Sequence, residues 1–256
     1  MWEEPPISGT KGSGTIFFSG CSLSCVFCQN ADISRGRSGK PVSTERLAEI
    51  MLELEAKGAH NINLVTPTHY IPSLAVAIPM ARRMGLTIPI VYNTGSYDSV
   101  DALRTLDGLV DAYLPDLKYY NVKTAESYSN AGDYPRIARK AISEMYRQVG
   151  APIFDDEGIM RRGIIVRILL LPGRVAEAKL SLKYLIDTYG DNIYVSLMNQ
   201  YTPMPGMAPP LNRKVTREEY NELLDYAEKL GLINGFTQDF GTASESFIPP
   251  FDCEGV

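Results

Sequence analysis

The chain has 256 residues, of which 45% are hydrophobic and 21% charged, and a formal net charge of −5 at neutral pH. That is ordinary globular composition with enough length to bury one core of α/β-barrel size. The acidic balance argues against a nucleic-acid partner held through phosphate neutralisation. No apolar run approaches a membrane span, and the opening MWEEPP lacks a secretory signal's basic start, so a cytoplasmic protein with no membrane partner is expected.

After the Gly/Ser-rich SGTKGSG, the segment TIFFSG is short, β-branched and aromatic, a strand that feeds a loop. STERLAEIMLELEAKG carries an N-cap serine, Ser43, a glutamate close behind, apolar residues at Leu47, Ile50, Met51 and Leu54, and a Gly58 stop, which predicts a helix. The alternation continues through HNINLV (strand), IPSLAVAIPMARRMG (helix), IPIVYN (strand) and SYDSVDALRTL (short helix). VDAYLP is a fourth strand, followed by helices over VKTAESYSN and YPRIARKAISEMYRQVG, the latter amphipathic through Ile137, Ala141, Met145 and Tyr146.

APIFDDEGIMRRG is expected to form a surface turn or hairpin. IIVRILLLP reads as a buried fifth strand and VAEAKLSLKYLIDTYG as its helix; NIYVSLM is a sixth strand. The proline-rich YTPMPGMAPPLNRKV cannot be helical, TREEYNELLDYAEKLG is a capped helix, and residues from about 232 to 256 are expected to be a tail over the surface. Six strands alternating with helices imply one domain over 1–256 with a parallel sheet and right-handed crossovers, doubly wound or curved into a barrel. Either arrangement gathers functional loops at the strand C-termini.

Directly after the first strand comes GCSLSCVFCQN, with Cys21, Cys25 and Cys28 within eight positions; the one other cysteine is Cys253. Such a grouping is no disulfide framework and points to metal or redox chemistry. Three thiolates leave a cluster or tetrahedral ion one ligand short. Zinc would want a fourth Cys or His nearby, yet the only histidines are His60 and His69, on or just after the second strand. A thioredoxin-like reading of Cys25 and Cys28 leaves Cys21 idle.

The C-x3-C-x2-C spacing, with Phe27 before the last cysteine, resembles the radical S-adenosylmethionine (SAM) superfamily. EEPPISGTKGSGTIFFSGCSLSCVFCQN, NLVTPTHY, DLKYY, VRILLLPG and FIPPFD together resemble the group related to pyruvate formate-lyase activating enzyme, over essentially the whole chain. The resemblance implies a partial (β/α)6 TIM-like barrel whose open side accepts a large substrate. It implies a [4Fe-4S] cluster on Cys21, Cys25 and Cys28, with SAM chelating the fourth iron and being cleaved reductively to a 5′-deoxyadenosyl radical. Similar proteins often carry a cysteine-containing stretch upstream of EEPPISG, so the expectation is either a short form or a truncated one.

The same resemblance assigns Phe27 to the adenine contact. Where relatives carry Gly-Gly-Glu after the second strand, this chain reads VTPTHY; there Thr66 and Thr68 offer acceptors to the methionyl ammonium, with strand-end hydrogen bonding as the alternative for Thr66. His69 is read either as a catalytic acid/base or cofactor contact, or as a helix-capping residue. Asn93 falls at the ribose or carboxylate position. Asp116 and Lys118, alternate residues on one strand, share a face, and Lys118 is placed to pair with the methionyl carboxylate; a plain ion pair is the alternative. Arg167 interrupts an apolar strand and needs an anion, either the cofactor's carboxylate or a structural partner such as Asp116. Asn199, with Gln200, follows the sixth strand at the adenosyl position. The function implied is activation of a glycyl radical enzyme, fed by a low-potential donor such as flavodoxin or ferredoxin. Two alternatives stay open: a radical SAM enzyme acting on a small molecule or peptide, and a non-enzymatic iron–sulfur or zinc protein.

Overall fold

A computed structural model describes residues 3–239 together with 251 and 253. Seven strands run parallel in the order β1 (Gly14–Phe17), β2 (Ile62–Val65), β3 (Ile90–Thr94), β4 (Ala112–Pro115), β6 (Met160–Leu169), β7 (Tyr194–Met198) and β8 (Gly235–Thr237). β5 (Ile153–Phe154) pairs antiparallel with β6, so APIFDDEGIMRRG is the expected hairpin. Gly163, at φ 136°, is where the hairpin crosses: a Cβ there would stand 2.8 Å from the Pro152 Cα.

The longer helices are α3 (Thr44–Ala56), α4 (Ile71–Arg83), α6 (Val122–Ser129), α7 (Tyr134–Val149), α8 (Val175–Tyr189) and α9 (Arg217–Lys229). Short turns of helix, α1 (Pro5–Ser8), α2 (Ala31–Ser34) and α5 (Val100–Arg104), complete the set. All six expected strands form. The chain adds β8, which lies inside the stretch read as a tail; it pairs with β7 through Val195↔Gly235 and Leu197↔Thr237. Three residues are too few to display a period of two, which is why the strand was not visible in the sequence. Phe251 sets its ring 5.2 Å from that of Phe17 on β1. The rest of FIPPFD lies outside the described residues.

Alternation along each strand splits the core into two layers. Ile62 and Leu64, Tyr92, Tyr113, Val166 and Ile168 join the helices in one large cluster. On the opposite face Val91, Ala112, Leu114, Met160 and Ile165 pack around Ile7 from α1. The N-terminal segment therefore sits against the inner face of the curved sheet, anchored by Asn61 Nδ2 donating to the Ile7 carbonyl at 2.7 Å. No helix among the described residues is long and apolar enough to cross a membrane.

Candidate active site and cysteine loop

β1 ends in the cysteine loop, and α2 closes it. Cys21, Cys25 and Cys28 are partly buried free thiols, and a cavity of about 290 Å³ is lined by Cys21, Leu23, Ser24, Cys25, Ser34 and Arg35. Each sulfur has its own neighbour: Leu23 N donates to Cys21 Sγ at 3.4 Å, Ser129 Oγ to Cys25 Sγ at 3.0 Å, and Ser34 Oγ lies 3.3 Å from Cys28 Sγ. Burial pushes the Cys21 thiol up, partly offset by the Leu23 amide. Among the described residues no three His, Cys, Asp or Glu side chains are placed to hold a single metal ion. Zinc would need donors that converge at about 2.3 Å on one point. A cubane spreads its ligands over separate irons, and an all-thiol donor set beside a cavity suits it.

Under the loop, Phe27 is buried against Tyr119, Tyr128 and Tyr201, with ring centroids 6.0 to 6.5 Å away. Gly95 permits the approach of the loop to the sheet. A side chain there would stand 3.1 Å from Leu23 Cδ1 and 3.3 Å from Lys118 Cε.

Next to it the strand ends form a polar network. Arg167 donates through Nε to Asp116 Oδ1 (2.8 Å), through Nη1 to Glu3 Oε2 (3.1 Å) and through Nη2 to Asn93 Oδ1 (2.5 Å). Lys118 Nζ donates to Asp116 Oδ2 at 2.5 Å. Asn63 and Asn93 donate to Glu3 Oε1 at 3.0 and 3.2 Å. Two acids and two bases thus face one another, with the buried Glu4 adding a third carboxyl nearby. Burial works against the Asp116 carboxylate, but Arg167 and Lys118 outweigh it and hold its carboxyl below the usual range. Burial likewise opposes the Arg167 and Lys118 cations, and Asp116 overrides it in both, so both titrate above their ordinary values. For Glu3 burial wins over Arg167, and its carboxyl is pushed up.

The structure therefore brings Asn93, Asp116, Lys118 and Arg167 together, and of the two anions open to Arg167 it supplies the structural one, Asp116, with Glu3 added. Glu3 had no signal in the sequence: it lies 164 positions from the arginine it meets. Thr66 sits in the left-handed region, at φ 57°, its amide donating to the Asn93 carbonyl at 2.8 Å. Thr68 Oγ1 lies 3.4 Å from Thr94 Oγ1, and Thr94 in turn donates to the buried Asp98 at 2.7 Å. His69 is exposed, with Nε2 2.7 Å from the Ser19 carbonyl just before the cysteine loop. That contact ties the β2 and β1 ends together, a bracing contact in place of the helix cap. Asn199 is held at the far side of the sheet, its amide donating to Gln238 Oε1 at 2.9 Å.

A family model for the radical SAM superfamily matches residues 15–178. The chain belongs to that superfamily. Members of this superfamily use a [4Fe-4S] cluster and SAM. An uncharacterized protein of Methanocaldococcus jannaschii is 31% identical over 231 residues, 86% of this chain and 63% of that protein. A radical SAM methyltransferase from Sphaerobacter thermophilus superposes with a TM-score of 0.61 at 16% identity, covering 88% of this chain and 65% of the other. For anSMEcpe with AdoMet bound the values are 0.59, 14%, 88% and 63%. Streptococcus suis SuiB bound to the precursor peptide SuiA gives 0.57, 13%, 88% and 48%. At these identities the solved structures establish the shared fold, a partial barrel. The chain spans under two thirds of the length of each of these relatives.

Proposed function

We propose that this radical SAM enzyme is an activating enzyme that removes a hydrogen atom from a backbone glycine of a partner enzyme, leaving a glycyl radical there. The observation that carries the reading is the filled inner face. Glu3, Asn63, Asn93, Asp116 and Arg167 satisfy one another beside Ile7, while the cavity at the cysteines is rimmed by the exposed Ser24 and Arg35. A small substrate calls for an enclosed pocket with convergent polar groups. A loop of another protein needs an accessible mouth.

When bound, the cluster and SAM supply a 5′-deoxyadenosyl radical, and the protein supplies position and exclusion of water. Cys21, Cys25 and Cys28 would hold the irons. Lys118, fixed by Asp116 and close to Gly95, is the cation for the methionyl carboxylate, and Thr66 and Thr68 offer oxygens to the ammonium. Phe27 underlies the adenine side. Arg35, Arg37 and Lys40 are exposed on the loop that follows Ser34, a basic rim on an acidic chain that suits an acidic low-potential donor such as flavodoxin or ferredoxin.

One departure favours a second reading, a peptide or small-molecule substrate: VTPTHY stands where the activating enzymes carry Gly-Gly-Glu. Anaerobic reconstitution with SAM and reductant separates them. The wild type is expected to release 5′-deoxyadenosine and Cys25→Ala none. Electron spin resonance with candidate partners should then show a glycyl signal. Steady 5′-deoxyadenosine release with no such signal from any cognate partner would overturn the activating role.

A further inference from the structure

Behind Cys25 two hydroxyls form a chain that the reading above leaves unused. Tyr119 is 0% exposed and Ser129, the last residue of α6, 2%. Ser129 Oγ lies 3.0 Å from Cys25 Sγ and 2.6 Å from the Tyr119 hydroxyl. Each hydroxyl has one proton to donate. A cysteine that ligates iron is a thiolate and can only accept, so the Ser129 proton points at sulfur, while the Tyr119 hydroxyl has both the Ser129 oxygen and Cys25 itself within reach as acceptors. Both hydroxyls therefore serve the one sulfur. Among the described residues the other two cysteines of the loop show no such chain: Cys21 meets a backbone amide at 3.4 Å, and Ser34, beside Cys28, lies 3.4 Å from the Ala31 carbonyl as a competing acceptor.

We propose that Ser129 and Tyr119 are positioning residues that set the reduction potential of the cluster through the Cys25 sulfur. Reduction adds one negative charge to the cluster, and a donor held on a ligating sulfur stabilises the reduced form more than the oxidised one. Water is excluded around Tyr119, which packs its ring on Phe27, Tyr128 and Tyr134. There an ordered pair of hydroxyls polarises along its length, so Tyr119 strengthens the bond that Ser129 makes. The inference rests on the family's cluster being held by the three cysteines and is independent of what the enzyme acts on.

The test is a redox titration of the reconstituted full chain, followed by electron spin resonance without SAM or partner, for wild type, Ser129→Ala, Tyr119→Phe and the double variant. Ser129→Ala is expected to move the midpoint to more negative potential. At a fixed donor potential its reduced-to-oxidised ratio should fall by about threefold to tenfold, the worth of one hydrogen bond, with tenfold equal to about 59 mV for a one-electron couple. Tyr119→Phe should shift it the same way, and the double variant at least as far as Ser129→Ala. An unchanged midpoint at wild-type iron content in either single variant overturns the inference. Tyr119→Phe keeps the ring and so decides the matter even where Ser129→Ala loses its cluster. Iron content and the wild-type spectrum separate the failures, because an unmoved midpoint on an intact cubane leaves the proposed function standing.

Discussion

Thr66 is a β-branched residue in a backbone region that glycine occupies freely. Its amide bond to Asn93 holds it there, at a conformational cost of order 1–3 kcal/mol. Thr66→Gly is therefore expected to raise the unfolding free energy by about 1 kcal/mol in urea titration, the relief of strain exceeding the added freedom of the unfolded chain. A fall in stability would refute the strain. The same substitution should weaken SAM binding if the threonine oxygen meets the ammonium, so stability and affinity move in opposite directions. Asp116 carries the other residue-level expectation. Asp116→Asn keeps the shape but removes the one carboxylate that pairs both buried cations, Arg167 and Lys118. A loss of about 3 kcal/mol is expected from chemical denaturation, and a loss under 1 kcal/mol would mean that the network is solvated and not buried.

Helix ends were the most legible elements, because a cap is written in adjacent residues. Ser43 accepts from the Arg46 amide, and Thr216 with Glu219 forms a reciprocal capping box at the start of α9. What the sequence could not disclose is the second use of Glu219. It also receives two bonds from Arg213 at 2.7 Å and one from the Gly173 amide at 2.7 Å, pinning α9 to the turn after β6. These partners, Arg213 foremost and against the push of burial, hold its carboxyl down to about 2, from an ordinary 4.5. A depressed carboxyl stabilises the fold above pH 4.5 and loses that contribution as pH falls toward 2. Glu219→Gln mimics the protonated form. It is expected to cost about 1 kcal/mol near neutrality, with the gap to wild type narrowing in urea titrations as pH drops below 4.5. A gap independent of pH would show that the charge does not matter. Strands were legible where their apolar runs were long, as in β6. α1 was hidden because a single turn of four residues carries no period of 3.6, and β8 because three residues carry no period of two, and Ser129 was invisible as a partner of Cys25 because 104 positions separate them. Local chemistry was readable in the sequence, and contacts between distant segments were not.

At the scale of the whole molecule, the curved sheet must cover two faces, and only the outer one is covered by the helices that the alternating pattern announces. The inner face is closed by the N-terminal segment, which contributes an apolar residue, Ile7, to the layer formed by Val91, Leu114 and Ile165 and an anion, Glu3, to Arg167. Both anchors belong to one short piece of chain, so the apolar and the polar halves of the interior stand or fall together. If the segment is a true part of the core, Ile7→Ala removes a fully buried side chain from the layer it shares with Val91, Leu114 and Ile165. The expected loss is about 3 kcal/mol, the transfer term plus the cavity it leaves. It should appear as a lower urea midpoint at an unchanged slope, since the surface exposed on unfolding stays nearly the same. A loss below about 1 kcal/mol would instead mark the segment as detachable. The polar strand ends would then open to solvent without unfolding the sheet, and Arg167 would be free to meet a carboxylate from outside.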